Sequence, residues 1–273
     1  MRRSAALILF VLLLTSSAAP QLKWVALGDS ITYLNDHTDE TGDRVSKGYM
    51  TMVTEQRPSL RYVNKGFNGW TCVKIASEIS TLGLEKADVY SVFLGTNDWW
   101  QGKRVGTLAD YKNGTGNSTF FGAYRTIINT LRKLNKDAQL FLITPMQRVD
   151  FVYIADMKNN AYGSYREKDG QKLSQFADAV IAIGKYEKIK VVDLYHSSEL
   201  TLNNMVKFKR LKDSVTGEYV NYKYPDFIGI PFEPEKDEYP YPEEATDMTY
   251  DGLHPSDKGY KVISSMILDV IKK

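Results

Sequence analysis

Short apolar runs alternate with amphipathic stretches along most of the chain. Five runs read as buried strands, and amphipathic helices are predicted between and after them. The predicted strands occupy residues 24–27, 61–66, 88–94, 138–144 and 189–194, and the predicted helices residues 48–57, 71–82, 120–134, 171–186 and 256–271. Strands that alternate with helices indicate a parallel sheet covered on both faces. We therefore predict an α/β fold, a three-layer α/β/α sandwich with a five-stranded parallel sheet, most like the flavodoxin-type doubly wound fold.

Three stretches interrupt this alternation. Residues 33–47 and 99–116 are polar and contain glycine, which predicts loops. Residues 195–247 begin with a predicted hairpin over residues 205–224 and continue into a segment rich in proline, tyrosine and acidic residues. A structureless loop of this length is uncommon unless it is functional. We interpret residues 195–247 as an insertion before the last helix, within a single domain that spans residues 21–273.

The first twenty residues have a different composition from the rest. Arg2 and Arg3 precede an apolar run over residues 5–14, and small residues follow at 16–19. This order is typical of a secretory signal peptide and is too short for a membrane span. We therefore expect a secreted or periplasmic protein. Removing the leader takes two of the 35 basic residues and none of the 33 acidic ones, so the mature chain is formally neutral. That balance gives no reason to expect nucleic-acid binding or stable membrane association.

Cysteine and histidine are scarce. Cys72 is the only cysteine, so the fold forms without internal disulfides, and a small buried residue is a better interpretation of Cys72 than a nucleophile. The chain has three histidines and no paired ligand spacing, so neither a metal site nor another cofactor is expected. His37 and His196 fit solvated or structural positions.

Candidate chemistry begins where the first strand ends. Gly28-Asp29-Ser30 follows directly on the apolar run, and ligands of open α/β sheets bind beyond the carboxyl ends of the strands. Asp251 and His254, three residues apart just before the last helix, can lie on one side of a turn. A carboxylate in that position fixes the tautomer of an imidazole, which then activates a serine. Taken alone, either segment also fits an ordinary turn.

Two further strands end in segments rich in glycine and asparagine. Residues 64–69 contain Gly66 and Gly69, and residues 95–98 read Gly-Thr-Asn-Asp with Asn97 in third place. A backbone N–H beside a glycine and an asparagine amide are the donors that acyl transfer needs for the developing oxyanion. Four such segments at one edge of the sheet indicate an active site there.

In order along the chain, these four segments resemble the blocks of the SGNH (GDSL) hydrolases, and the resemblance covers essentially the whole mature chain. It implies that Ser30 is the nucleophile, that His254 is the general base, and that Asp251 orients His254. It also implies an oxyanion hole made of the backbone N–H groups of Ser30 and Gly69 and the side chain of Asn97. Gly66 is the competing glycine, and the resemblance favours Gly69 because the family's glycine lies just before a polar stretch that opens the helix.

The family resemblance leaves the substrate open, because SGNH hydrolases act on sugar esters, lipids and thioesters. Trp70, Trp99 and Trp100 are adjacent to the expected oxyanion residues and could stack on sugar rings, although tryptophan is as often buried. We therefore expect an exported serine esterase that removes small acyl groups, above all acetyl, from carbohydrate, and we expect residues 195–247 to form one wall of its substrate cleft. A lysophospholipase- or thioesterase-type lipid hydrolase and a non-catalytic carbohydrate-binding protein are the alternatives.

Overall fold

The computed structural model of the protein describes residues 21–271. The predicted signal peptide, residues 1–20, lies outside the described residues. The main sheet contains five strands: β1 (Leu22–Gly28), β2 (Leu60–Gly66), β3 (Val89–Phe93), β4 (Gln139–Ile143) and β7 (Lys190–Val192). Their order across the sheet is β2-β1-β3-β4-β7, and every neighbouring pair is parallel. The predicted five-stranded parallel sheet is thereby confirmed.

Eight α-helices are described in residues 21–271. They are α1 (Ser30–Tyr33), α2 (Tyr49–Gln56), α3 (Cys72–Glu78), α4 (Thr96–Trp100), α5 (Leu108–Asn113), α6 (Phe120–Leu134), α7 (Leu173–Glu187) and α8 (Asp257–Val270). Helix α8 begins one residue later than the sequence predicts, because the Ser256 side chain caps it by accepting a hydrogen bond from the Gly259 N–H.

The two faces of β1 show how the sheet divides the core. Trp24 and Ala26 lie in a cluster with buried residues of α2 and α8, whereas Val25 and Leu27 lie in a second cluster with α3, α6 and α7. Because successive side chains of a strand point to opposite faces, a strand buried on both sides is apolar throughout. The sheet is therefore the middle of three layers, as predicted.

The prediction of a loop over residues 99–116 is wrong in part. Helix α4 extends to Trp100, and helix α5 follows within the same stretch. Thr107 and Asp110 form a capping box at the start of α5, and Gly114 ends it in the left-handed conformation with φ of 64°. The Thr-x-x-Asp pattern is a recognisable start signal and the glycine a recognisable stop signal. A helix of six residues is, however, too short to show a periodic apolar pattern.

Two small hairpins lie outside the main sheet. The first joins β5 (Phe151–Tyr153) to β6 (Asp156–Ala161), and the sequence did not predict it. The second joins β8 (Lys209–Lys212) to β9 (Tyr219–Tyr222), which confirms the hairpin predicted in residues 205–224. The first hairpin matters for the site, because it follows β4 at the edge of the sheet where the strands end.

Candidate active site

Ser30 lies at the junction of β1 and α1. The Asp29 side chain caps the helix by accepting a hydrogen bond from the Ile31 N–H at 3.1 Å. Gly28 leaves the room that this tight junction needs, since a Cβ there would collide with the Thr32 side chain. Burial raises the pKa of the Asp29 carboxyl to about 6. The turn places the Ser30 hydroxyl at the end of the strand, at the first residue of a helix.

The imidazole of His254 joins Ser30 to Asp251 through two hydrogen bonds. His254 Nδ1 lies 2.7 Å from Asp251 Oδ2, and His254 Nε2 lies 2.9 Å from Ser30 Oγ. A carboxylate can only accept, so Nδ1 carries the proton and Nε2 is free to accept the hydroxyl proton of Ser30. The three residues that the sequence selected are therefore contiguous, across 224 positions of chain.

The backbone holds Asp251 in place. Its Oδ1 atom accepts the N–H groups of Leu253 at 3.0 Å and His254 at 2.7 Å, so both carboxylate oxygens are bonded. Asp251 is fully buried, and His254 is 7% exposed. Gly252, with φ of 90°, is confined to glycine because a Cβ would collide with the carbonyl oxygen of Asp150. The carboxylate and the imidazole are thus fixed relative to each other before any substrate enters.

Asn97 and Gly69 approach Ser30 from the ends of two other strands. The Asn97 amide donates to the carbonyl oxygen of Trp70 at 3.1 Å, which orients the side chain while leaving its second N–H proton for another acceptor. Gly69 has φ of 71° and lines the same cleft as Ser30 and Asn97. Gly66 instead ends β2 and lies against the Tyr33 backbone, where a Cβ would collide with it. The geometry therefore favours Gly69 over Gly66.

Asp98, next to Asn97, ties these two segments together. Its carboxyl oxygens accept the backbone N–H groups of Cys72 at 2.8 Å and Val73 at 3.3 Å, at the start of α3. Asp98 is completely buried, and desolvation raises the pKa of its carboxyl to about 7. Cys72 is also buried, which raises the pKa of its thiol well above the usual value. A nucleophilic thiolate at Cys72 is therefore disfavoured, in agreement with its interpretation as a core residue.

A cleft of about 420 Å³ opens in front of the serine and histidine. Its lining comes from the strand ends, from the β5–β6 hairpin and from the turn before α8: Ser30, Leu34, Glu40, Asn68, Gly69, Asn97, Trp100, Gln101, Arg148, Phe151, Tyr153, Asn159, Ala161, Tyr250, Leu253 and His254. The Phe151 ring meets the His254 ring edge-on at 5.3 Å, so the imidazole has an apolar neighbour on the cleft side.

Of the three tryptophans proposed for substrate binding, Trp100 alone lines this cleft. Trp99 is fully buried, and its indole N–H donates to the carbonyl oxygen of Gln171 at 2.9 Å, so the expectation that it contacts substrate is wrong. Trp70 is half-buried and stacks on Phe67 with ring centroids 4.7 Å apart, outside the cleft lining. Neighbouring helical residues point about 100° apart, so Trp99 turns to the core and Trp100 to the cleft.

The expectation that residues 195–247 form a wall of the cleft is also wrong. None of these residues, all of them within the described part of the chain, belongs to the cleft lining, whereas the β5–β6 hairpin supplies Phe151, Tyr153, Asn159 and Ala161. The signal for this hairpin in the sequence is weak, because the run Phe151–Tyr153 is three residues long and the strand after it is mainly polar.

Residues 195–247 instead support this hairpin from behind. The Tyr239 hydroxyl donates to the carbonyl oxygen of Val152 at 3.1 Å, and the Tyr241 hydroxyl donates to that of Asp150. Lys209 Nζ lies 2.8 Å from Asp150 Oδ2, and this lysine is almost fully buried. Burial raises the pKa of Asp150, but the Lys209 ammonium and the surrounding hydrogen bonds outweigh it and hold the pKa below its ordinary value. The insertion therefore positions a cleft wall without forming it.

The other two histidines do not line the cleft. The His37 ring stacks on Tyr33 at 3.8 Å, and His196 bonds to the carboxylate of Asp193. Within residues 21–271, no group of three or more histidine, cysteine or acidic side chains is arranged to hold a metal ion. Over the same residues, none of the helices has the length and apolar character needed to cross a membrane.

Comparison with known proteins places this chain in a family. The GDSL-like Lipase/Acylhydrolase family matches residues 26–215. A crystal structure of a possible lipase from Chitinophaga pinensis is 64% identical with a TM-score of 0.91, over 92% of this chain and 97% of that one. An acetylxylan esterase from Geobacillus stearothermophilus is 15% identical with a TM-score of 0.50, over 94% and 96% of the two chains, a likeness of fold alone. No functionally curated protein matches the chain. The chain belongs to the GDSL-like lipase/acylhydrolase family, whose members hydrolyse esters.

Proposed function

We propose that the protein is an exported serine esterase that removes small acyl groups, above all acetyl, from carbohydrate. The observation that carries the chemical part of the proposal is the hydrogen-bonded chain from Asp251 through His254 to Ser30 at the floor of an open cleft. A serine hydroxyl is a weak nucleophile until a neighbouring base accepts its proton. His254 Nε2 is within hydrogen-bonding distance of that proton.

In the proposed reaction, Ser30 Oγ attacks the carbonyl carbon of the ester while its proton passes to His254 Nε2. The resulting imidazolium is stabilised by the buried Asp251 carboxylate, 2.7 Å from Nδ1. The tetrahedral intermediate then collapses, the alcohol leaves with the proton from His254, and the acyl group remains on Ser30. Water, deprotonated by the same nitrogen, attacks the acyl-serine and releases the acid.

The negative charge on the tetrahedral oxygen needs donors that are already in place. We assign this role to the backbone N–H groups of Ser30 and Gly69 and to the Asn97 amide. The Ser30 N–H is in the first turn of α1, where backbone N–H groups have no partner within the helix. Because Trp70 already holds the Asn97 amide, the donor needs no reorientation as the charge develops.

The size and lining of the cleft support a short acyl group and a sugar. About 420 Å³ holds a monosaccharide with a small ester but offers little room for a long alkyl chain. Trp100 supplies an indole in the lining, and Asn68, Gln101 and Asn159 supply amides that can bond hydroxyls. The fold likeness to an enzyme named as an acetylxylan esterase points in the same direction.

Acetate release from a panel of acetylated polysaccharides, with Ser30→Ala as the control, tests this proposal. We expect release from at least one polysaccharide by the native protein and none by the variant. Hydrolysis of aryl acetates without release from any polysaccharide would contradict the carbohydrate part of the proposal. If neither aryl acetates nor acetylated polysaccharides are hydrolysed, the proposal that the protein is an esterase is contradicted.

Lipid hydrolysis is the second candidate, because the Chitinophaga protein at 64% identity is named as a possible lipase. Chain-length preference separates the two candidates. With 4-nitrophenyl esters from acetyl to octanoyl, the acetylesterase proposal predicts kcat/KM that falls with chain length. A rise toward octanoyl would favour a lipid substrate.

A further inference from the structure

Arg148 is a buried cation at the wall of the cleft. It lies between β4 and the β5–β6 hairpin and is 2% exposed. Its guanidinium carbon is 5.6 Å from the centroid of the Trp99 ring and 5.5 Å from that of Trp100. Burial lowers the pKa of the guanidinium to about 10, so Arg148 still carries its charge at neutral pH.

The guanidinium is poorly satisfied by the protein. One Nη atom donates to the carbonyl oxygen of Tyr162 at 3.0 Å, and Nε has no hydrogen-bond partner among the described residues. A guanidinium has five N–H protons. Across residues 21–271, no acidic oxygen lies within ion-pairing distance of Arg148.

The nearby carboxylates have other partners. Asp150 is bonded to Lys209, to the Tyr165 hydroxyl and to the N–H of Gly163. Glu40, the acidic residue that lines the cleft, accepts a hydrogen bond from the Tyr33 hydroxyl at 2.8 Å. Asp150 and Asp251 stabilise the charge of Arg148 at longer range, but no hydrogen bond among the described residues joins either carboxylate to its guanidinium. The unused N–H donors of Arg148 are therefore left to the rings of Trp99 and Trp100 and to whatever enters the cleft.

A buried N–H donor without an acceptor is costly, and an unsatisfied one at the wall of a cleft can be completed by a molecule that enters it. We propose that Arg148 binds a carboxylate of the substrate, so that the preferred ester carries a negative charge near the bond that is cleaved. The planar guanidinium matches the two oxygens of a carboxylate. The inference rests on the proposed esterase and names its substrate class: an acetylated acidic sugar if the carboxylate is on the alcohol, or a half-ester of a dicarboxylic acid if it is on the acyl group.

Two matched pairs of esters test the proposal with the full-length mature protein. 4-Acetoxybenzoate and 4-acetoxybenzamide differ by the charge on the alcohol part, and monoethyl glutarate and its terminal amide differ by the charge on the acyl part. A hydrogen bond to a charged group corresponds to about 10–100-fold in kcat/KM. We expect the native protein to prefer the charged member of one pair by at least about tenfold. The pair that shows the preference identifies the side that carries the carboxylate.

Arg148→Met is expected to remove this preference by lowering kcat/KM for the charged ester about 10–100-fold while the neutral ester changes less than about threefold. Arg148→Lys keeps the positive charge but lacks the paired N–H donors of the guanidinium, and it is expected to retain part of the preference for the charged ester. Arg166→Met is the matched control, because Arg166 is an exposed arginine on nearby rings, 5.7 Å from the Tyr162 and Tyr165 centroids, outside the cleft lining. It should leave the preference unchanged.

Equal rates for both members of each pair in the native protein would overturn the proposal while leaving the esterase intact, since the neutral esters would still be cleaved by native protein and not by Ser30→Ala. Loss of the preference in Arg166→Met as well would assign it to general surface charge and also overturn the proposal. If Arg148→Met does not fold, the proposal is tested by comparing how strongly a carboxylate and its amide inhibit the native protein. Benzoate should then inhibit at least about tenfold more strongly than benzamide, and equal inhibition would refute the role of Arg148.

Discussion

Replacement of Asp98 by asparagine removes one titrating group from the core with little change in shape. Asp98 is completely buried, and its two oxygens accept the N–H groups of Cys72 and Val73. Asparagine retains one oxygen as an acceptor for the shorter bond, and its amide nitrogen cannot accept the longer one. We expect this lost bond to cost about 1 kcal/mol of stability at acid pH, where the carboxyl is neutral in both states.

At higher pH the same substitution is expected to stabilise the folded protein instead. Desolvation raises the pKa of Asp98 from 3.8 to about 7 in the folded protein, so folding favours the protonated form. Its contribution to stability is therefore fully present below the unfolded pKa and is lost as pH rises from about 4 to about 7. The difference between the two pKa values corresponds to about 4 kcal/mol. Asp98→Asn is thus expected to be about 1 kcal/mol less stable than the native protein near pH 3 and about 3 kcal/mol more stable near pH 8.

Urea unfolding at several pH values between about 3 and 8, followed by tryptophan fluorescence, measures the free energy of unfolding of both proteins. Asp29 also has a raised pKa, about 6, and its charge contributes to the raised pKa of Asp98, so the difference between the two proteins includes the repulsion between these two carboxylates. The difference between Asp98→Asn and the native protein should change sign between the two ends of this range. A difference that does not vary with pH would refute the buried-carboxyl account of Asp98.

Three further predictions concern the catalytic edge. Ser30→Ala and His254→Ala should each abolish hydrolysis of 4-nitrophenyl acetate while the Tm is retained. The double variant should be no less active than either single variant, because the two residues act as a unit. Near-native turnover in either single variant would contradict the assignment of Ser30 and His254 as catalytic residues. Asn97→Ala should lower kcat by about 10²–10³ with little change in KM, whereas an effect confined to KM would mean that Asn97 binds the ground state. Gly252→Ala should destabilise the protein by at least about 2 kcal/mol, since φ of 90° is strained for alanine and its Cβ collides with the Asp150 carbonyl; an unchanged Tm would show that the turn can relax.

The residues in the proposed catalytic chain could be chosen from sequence because each lies in a short motif at a predictable place. Ser30 follows a continuous apolar run, and Asp251 and His254 share one turn before an amphipathic helix. Parallel topology brings the ends of such strands to one edge. Local pattern and chain order placed Ser30 and His254 at the same edge, and the resemblance of the four ordered segments to the SGNH hydrolases supplied their roles.

The cleft walls could not be predicted in the same way. The β5–β6 hairpin pairs with itself, and its three-residue first strand is too short for periodicity to identify it. Residues 195–247 begin and end near the catalytic edge, but sequence cannot tell a segment that lines a cleft from one that packs behind it. The contacts of Tyr239 and Tyr241 with the hairpin backbone decide that question, and these contacts join residues about 90 positions apart.

The central claim is that Ser30 is the nucleophile that carries the acyl group. Its most direct test is to treat the protein with a fluorophosphonate, which reacts with activated serines, and to locate the adduct by peptide mass spectrometry. The account predicts one adduct per chain on the peptide that contains Ser30, with loss of esterase activity in proportion to labelling and no adduct in Ser30→Ala. An adduct on a different residue that accompanies the loss of activity, or full labelling and turnover in Ser30→Ala, would contradict it.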